Sequence, residues 1–286
     1  MIVVTGATGQ FGRLVVEALL QRGTPASEIV AAVRTPAKAA DLAARGVQVR
    51  EADYERPETL VPAFTGADKL LFVSSNGPEE ARISQHGAAV AAAAEAGVGQ
   101  LIYTSVYDAT NSPLGLARVH RDTEARIAAT GLPSVLLRNG WYTENYTGSL
   151  AGAVERGAVA GAAGEGRIAS AARADYAEAA AVVLLSDDQA GKVYELTGDT
   201  NWSLGELAAE AARQTGKDVA FANLPAEQYT EILAGVGLPG FLVELLVDAD
   251  IQVAGGALAG ITGDLSGLLG RPTTPLADTV AITLKG

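Results

Sequence analysis

Three glycines, Gly6, Gly9 and Gly12, follow the short apolar run Ile2-Val3-Val4-Thr5 at G-x-x-G-x-x-G spacing, and a helical pattern starts at once. Residues of these types in this order suit the holding of a pyrophosphate against bare backbone. Gly6 allows a sharp turn, Gly9 lets the backbone approach the phosphates, and Gly12 lets the next helix pack close to the strand. The first helical turn then offers unpaired N–H groups and a positive dipole end to the anion. The ligand this implies is a dinucleotide; the alternative is a glycine turn with a purely structural role.

The second apolar run ends Ala31-Ala32-Val33-Arg34. Sites selective for a free ribose 2′-hydroxyl place an acid there. Arg34 stands in its place, and Lys38 follows four residues on. A guanidinium fork and an ammonium point charge suit a 2′-phosphate. NADPH is therefore the expected cofactor, with NADH possible; the alternative is two solvated charges on a surface helix. Asp53 either accepts a hydrogen bond from an adenine amino group or caps the helix that begins after Pro57.

These residues need elements to position them. Ile2 to Thr5 reads as a buried strand, and Phe11, Leu14, Val15, Ala18 and Leu19 mark one helix face up to Gly23. Further strands are predicted over 29–33, 46–50, 68–73, 100–104 and 134–137. Helices are predicted over 37–44, after Pro57, and over 79–96 and 116–129. Strands alternating with helices at this spacing require parallel pairing with right-handed crossovers, and ligands then sit beyond the carboxyl ends of the strands. The loops that matter begin at Gly6, Arg34, Ser74, Thr104 and Arg138. After Asn139 the alternation stops, and helices over 175–185, 204–213 and 225–234 lie between glycine-rich pieces. The expected fold is α/β: a doubly wound parallel sheet over residues 1–140, to which later segments return in part. A smaller, mostly helical substrate lobe over 141–286 then covers the cofactor.

Of the 286 residues, 48% are apolar, enough for a core, and the formal charge is −12. That charge argues against a nucleic-acid or anionic-membrane surface. Cysteine is absent, which excludes disulfides and thiolate metal sites, and two histidines make any metal site an unfavoured reading. No apolar stretch reaches the ~18 residues of a membrane span. The expectation is a cytoplasmic protein, monomeric or homodimeric, with no metal and no nucleic-acid or membrane partner.

Thr5 to Gln10, Val33 to Lys38 and Tyr103-Thr104-Ser105 resemble the NmrA-like atypical short-chain dehydrogenases/reductases. The segments 112–117, 137–146 (Leu-Arg-Asn-Gly-Trp-Tyr-Thr-Glu-Asn-Tyr) and 173–177 narrow the resemblance to the quinone- and dye-reducing members of that family. It runs over nearly the whole chain. It implies a Rossmann-type domain that binds NADPH, a small substrate lobe and two-electron reduction of quinones. It also carries cofactor contacts onto Gly6, Thr8, Gly9, Gln10 and Phe11, onto Arg34, onto Ser74, Ser75 and Asn76, and onto Asn139, Gly140, Trp141 and Tyr142. Thr104 belongs with these at the ligand edge. Tyr142, Asn145 and Tyr146 would border the cleft between the lobes.

Classical members of the wider short-chain dehydrogenase superfamily use a Tyr-x-x-x-Lys pair with a Ser after the fifth strand. Ser105 stands at the Ser place, but none of the eight tyrosines has Lys four residues later. Aligned on Glu124, the helix places Leu116 at the Tyr position and His120 at the Lys position. This departure resembles what the quinone and dye reductases show. Hydride addition to a simple ketone makes a strongly basic alkoxide, so a positioned acid matters. Addition to a quinone makes a delocalised, weakly basic anion, so proximity and orientation suffice. The expected substrate is thus a small planar electrophile, quinone-like.

The remaining candidates keep two readings each. His120 relays a proton or touches the nicotinamide ribose, or else pairs with Glu124 at i, i+4. Tyr142 and Trp141 line the cleft or fill the core. Arg173 reaches a ligand or packs with Asp175. His86 and Trp202 read as structural. Alternatives to quinone reduction are an NADP(H)-binding redox sensor without turnover, or a reductase of a polycyclic metabolite or dye.

Overall fold

The computed structural model describes residues 1–285. The chain runs β1 (Ile2–Thr5), α1 (Gln10–Gln21), β2 (Ile29–Val33), α2 (Ala40–Ala44), β3 (Gln48–Glu51), α3 (Leu60–Phe64), β4 (Lys69–Phe72), α4 (Glu79–Glu95), β5 (Gln100–Val106), α5 (Ala117–Thr130) and β6 (Ser134–Asn139). It continues α6 (Glu144–Thr147), α7 (Leu150–Arg156), β7 (Ala158–Gly161), α8 (Arg173–Leu185), β8 (Val193–Leu196), α9 (Leu204–Thr215) and β9 (Ala220–Asn223). Four helices end it: α10 (Ala226–Gly235), α11 (Gly240–Ala254), α12 (Asp264–Leu269) and α13 (Leu276–Lys285).

The described residues form two compact units, 1–109 with 119–139 and 176–194, and 110–118 with 140–175 and 195–286. The main sheet has seven strands in the order β3-β2-β1-β4-β5-β6-β8. This is the doubly wound order with its switch point between β1 and β4, the place where such sheets hold ligands. The registers put Thr5 beside Ala32, Val4 beside Leu71 and Val106 beside Asn139, so the strands end close to level.

β1, apart from Thr5 at its end, and all of β2 are apolar because helices cover both faces of a parallel sheet. Val3, Leu70, Phe72, Leu101 and Tyr103 pack with Ala89, Val90 and Ala93 of α4. Alanine at those positions lets α4 lie close to the strands, which explains the long small-residue run.

Two features lie outside the strands the sequence predicts, each for a physical reason. Residues 193–196 pair as one more strand of the main sheet after α8. They form an edge strand with a single fully buried residue, Leu196, so no apolar run announces them. In the second unit, β7 and β9 form a two-stranded parallel sheet. α10 and α11 pack there through Tyr229, Val243 and Val247. α9 begins with a capping box, Ser203 and Glu206 each bonding the other's backbone N–H.

Candidate cofactor and acceptor site

Gly6 ends β1 at φ +59°, and its carbonyl accepts the Gly9 N–H at 2.8 Å. A Cβ on Gly12 would lie 2.4 Å from the same carbonyl oxygen, so α1 packs onto the turn closer than any side chain permits. No side chain caps α1 at Gly9, and its first turn holds no acid. Its leading N–H groups therefore remain available to an anion. Phe11 is buried, Thr8 is half-buried, and Gln10 is exposed on the first turn. The neck of this turn is fixed by Thr5, whose hydroxyl accepts the Val73 N–H at 2.8 Å, and by the Tyr54 hydroxyl, which donates to the Val73 carbonyl at 2.9 Å. Tyr54 drew no attention in the sequence, because a lone tyrosine in a loop carries no pattern.

Arg34 and Lys38 are exposed, beyond the end of β2, and neither forms an ion pair among the described residues. Asp53 follows β3 on the neighbouring strand. Its carboxylate accepts the Glu55 N–H at 3.1 Å, while its own N–H donates to the Thr59 hydroxyl at 2.9 Å. The carboxylate thus closes its own turn rather than capping the helix after Pro57.

After β4, Ser74 donates its N–H to the Thr104 hydroxyl at 2.9 Å, and Ser75 donates its N–H to His86 Nε2 at 3.0 Å. These bonds fix the 74–76 loop to β5 and α4, and Asn76 is exposed at its tip. Two side-chain atoms here are buried without a partner: Ser75 Oγ and Asn139 Oδ1, after β4 and at the end of β6. A buried polar group left unpaired is costly. Two of them at the ligand edge, beside a glycine turn with open N–H groups, fit a dinucleotide rich in hydroxyls and phosphates.

His120 is 4% exposed and does not pair with Glu124 as the helical spacing suggested. Its Nδ1 hydrogen-bonds the Tyr103 hydroxyl at 2.8 Å, and its Nε2 accepts from Arg82 Nη2 at 3.3 Å. Burial, helped by the Arg82 charge, holds the imidazole well below its usual pKa, so it is neutral. His86 is likewise buried. It accepts from Ser75, and its Nδ1 meets the Thr123 hydroxyl at 2.8 Å; burial pushes it down to about 3. Glu124 is instead held by Arg138, with Nη2 to Oε2 at 2.7 Å, and receives the Ser105 hydroxyl at 2.5 Å. Ser105 is thereby committed within the sheet edge. Arg82 and the pairings of Tyr103 and Arg138 escaped the sequence reading because their partners lie on other elements.

The second unit carries the other candidates. Gly140 donates its N–H to the Leu196 carbonyl at 2.7 Å, and Trp141 is buried. The Tyr142 ring lies under the Arg173 guanidinium at 4.9 Å. Arg173 therefore does not pack with Asp175, which is fully buried and takes Arg271 and Thr274 instead. Asn145 is exposed. Tyr146 meets Trp202 edge-on at 5.4 Å and directs its hydroxyl to Asp250 Oδ1 at 3.4 Å. Asp250, absent from the sequence reading, is 2% exposed, and its other oxygen accepts the Ala162 N–H at 2.7 Å. Burial raises its pKa to about 6. Trp202 donates its ring N–H to Ser170 within the core, as a structural residue should.

The family model described as NAD(P)H-binding matches residues 6–187. The chain belongs to this NAD(P)H-binding family. Within the family, its relatives include Quinone oxidoreductase 2 of Escherichia coli, 49% identical over 98% of each chain. The crystal structure of the NADPH-dependent quinone oxidoreductase of Escherichia coli complexed with NADPH superposes with a TM-score of 0.94. It is 48% identical over 99% of both chains. The Citrobacter sp. triphenylmethane reductase complexed with NADP(H) gives a TM-score of 0.95 at 38% identity, covering 99% of this chain and 100% of that one. The fold class and the resemblance read over nearly the whole chain, from Thr5 to the 173–177 segment and beyond, are therefore those of this NAD(P)H-binding family and its quinone- and dye-reducing members. Among the described residues no helix is long and apolar enough to cross a membrane.

Proposed function

We propose that this NAD(P)H-binding protein is an NADPH-dependent oxidoreductase that delivers a hydride to a quinone-type planar acceptor. The observation that carries the reading is the state of His120. At the position where classical short-chain dehydrogenases place a lysine, this chain has a sealed, neutral imidazole, and Leu116 stands where their tyrosine acid stands. A site without a positioned acid suits an acceptor whose reduced form is a weak base. Bound NADPH supplies the hydride.

The chain's residues bind and orient. The Gly6–Phe11 turn and the α1 N-terminus hold the pyrophosphate, and Arg34 with Lys38 receives the 2′-phosphate. The 74–76 loop, Thr104 and Asn139 fix the nicotinamide half by hydrogen bonds. We assign Trp141, Tyr142, Asn145 and Tyr146 to the acceptor's surroundings, where flat aromatic surface suits a flat molecule.

Stopped-flow oxidation of NADPH with a panel of benzoquinones and naphthoquinones tests the reading. Saturable, protein-dependent oxidation is expected. Rates no faster than the uncatalysed reaction across the panel, with NADPH binding intact, would favour a sensor that binds the nucleotide without turnover.

A further inference from the structure

Arg82 is a permanent cation, 7% exposed, and no carboxylate lies within ion-pairing distance of it among the described residues. Glu79, at the start of the same helix, acts on it only at longer range. Nη2 donates to His120 Nε2 at 3.3 Å, and the Nε–H is buried with no acceptor. His120 and His86 are neutral, and the hydroxyls of Tyr103 and Thr123 complete the surroundings without adding charge. A guanidinium taken from water with no counter-ion costs several kcal/mol, and an orphaned donor adds about 1–3 kcal/mol. Nothing in this cluster offsets that cost.

Arg82 lies in the first turn of α4, directly after the 74–76 loop, whose Ser75 Oγ is also buried and unpartnered. Both orphans stand where chain leaves the carboxyl end of β4, beside β5, on the edge where sheets of this winding hold ligands.

We propose that Arg82 is the counter-cation for the acceptor oxygen that becomes negative during reduction. This rests on the quinone-reductase reading. One C–H bond of the reduced cofactor breaks, and its hydride, carrying both electrons, passes to the quinone. One quinone oxygen becomes the hydroquinone anion and then takes a proton from water. Arg82 gives up no proton in this sequence. It offers a fixed charge in a poorly solvated place, where such a charge acts more strongly than in water. The other anion a ligand brings is the cofactor's own phosphate, and the two sources separate experimentally.

The test measures kcat and KM for Arg82→Met and Arg82→Lys over quinones of graded hydroquinone basicity, and for a cationic carbocation dye, whose hydride adduct is neutral. NADPH affinity is measured in parallel by calorimetry. Arg82→Met is expected to lower kcat for quinones by about 100-fold, the scale of one lost oxyanion donor. The loss should grow with the basicity of the anion formed and be least for the dye, while NADPH affinity holds. Arg82→Lys, which keeps the charge, should recover part of the rate. Should the Met variant not fold, the Lys variant reads the same acceptor dependence at smaller amplitude.

An equal loss for every acceptor would make Arg82 a packing residue and overturn the proposal. Weakened NADPH binding at unchanged kcat would assign the charge to the cofactor phosphate and overturn it as well. A wild-type protein that reduces no quinone removes the functional reading itself, a result visible before any variant is made.

Discussion

Glu124 and Arg138 meet through two hydrogen bonds, Nε to Oε1 at 3.0 Å and Nη2 to Oε2 at 2.7 Å, with both side chains mostly withdrawn from water. Ser105 completes the carboxylate's partners. The pair ties α5 to the end of β6, and removing one member leaves the other's charge stranded. Glu124→Ala should cost about 2–4 kcal/mol in denaturant unfolding, near the range for a broken buried pair. Ser105→Ala should cost about 1–2 kcal/mol, the value of one hydrogen bond to a charged group, and leave kcat within ~10-fold. A far larger fall in kcat at unchanged stability would show instead that Ser105 touches the acceptor.

The sequence announced those parts of the site that depend on backbone. A glycine turn, a strand end and an apolar run are local, so the turn after β1 and the presence of the first six strands along the chain were legible. Parts built from side chains on separate elements were not. His120 and Glu124 are four residues apart on one helix, which suggests a pair. Yet His120 faces Tyr103 and Arg82 while Glu124 faces Ser105 and Arg138, because the sheet and α4 offer each a better partner. Asp250 lies inside an apolar helix and meets Ala162 and Tyr146 only after long stretches of chain have folded back. No spacing rule reaches across such distances.

Gly12 has no room for a methyl group, since its Cβ would stand 2.4 Å from the Gly6 carbonyl oxygen and 2.8 Å from its carbon. Both neighbours are backbone, so Gly12→Ala must push α1 away from the turn. The displaced N–H groups then miss the pyrophosphate. NADPH affinity should fall at least ~100-fold, a loss of about 3 kcal/mol spread over several charge-assisted bonds. Calorimetry with NADPH checks this, and binding within a few-fold of wild type would remove the turn from the cofactor site.

Arg34 stands exposed with no ion pair among the described residues. If its partner is the 2′-phosphate, Arg34→Ala should weaken NADPH by about 10- to 100-fold, the worth of a hydrogen-bonded charge at about 1.5–3 kcal/mol. NADH, which lacks that phosphate, should bind unchanged. Comparing the two cofactors within one variant cancels any general effect on folding. Equal weakening of both would assign Arg34 to the structure of the β2 end.

Asp250 gives the folded protein a pH dependence of known sign. Its carboxyl ionises near 3.8 in the unfolded chain and about 6 in the folded one, because burial opposes the charge. Between those values the native state holds a proton that the unfolded state releases. The group's contribution to stability is complete below pH 3.8 and is lost as the pH rises through about 6. A displacement of this size corresponds to roughly 3 kcal/mol, at about 1.4 kcal/mol per unit. In Asp250→Asn the amide oxygen can still accept the Ala162 N–H, and the amide nitrogen can donate to the Tyr146 oxygen. The variant should therefore fold and gain on wild type by a few kcal/mol between pH 4 and pH 7.5 in denaturant titrations. Glu210, lowered to about 2 by Arg213 and Gln214, acts with the opposite sign at lower pH and cancels in the comparison. Parallel stability curves for the two proteins would show that Asp250 ionises freely and that the Tyr146 hydroxyl has no buried carboxyl group to respond to.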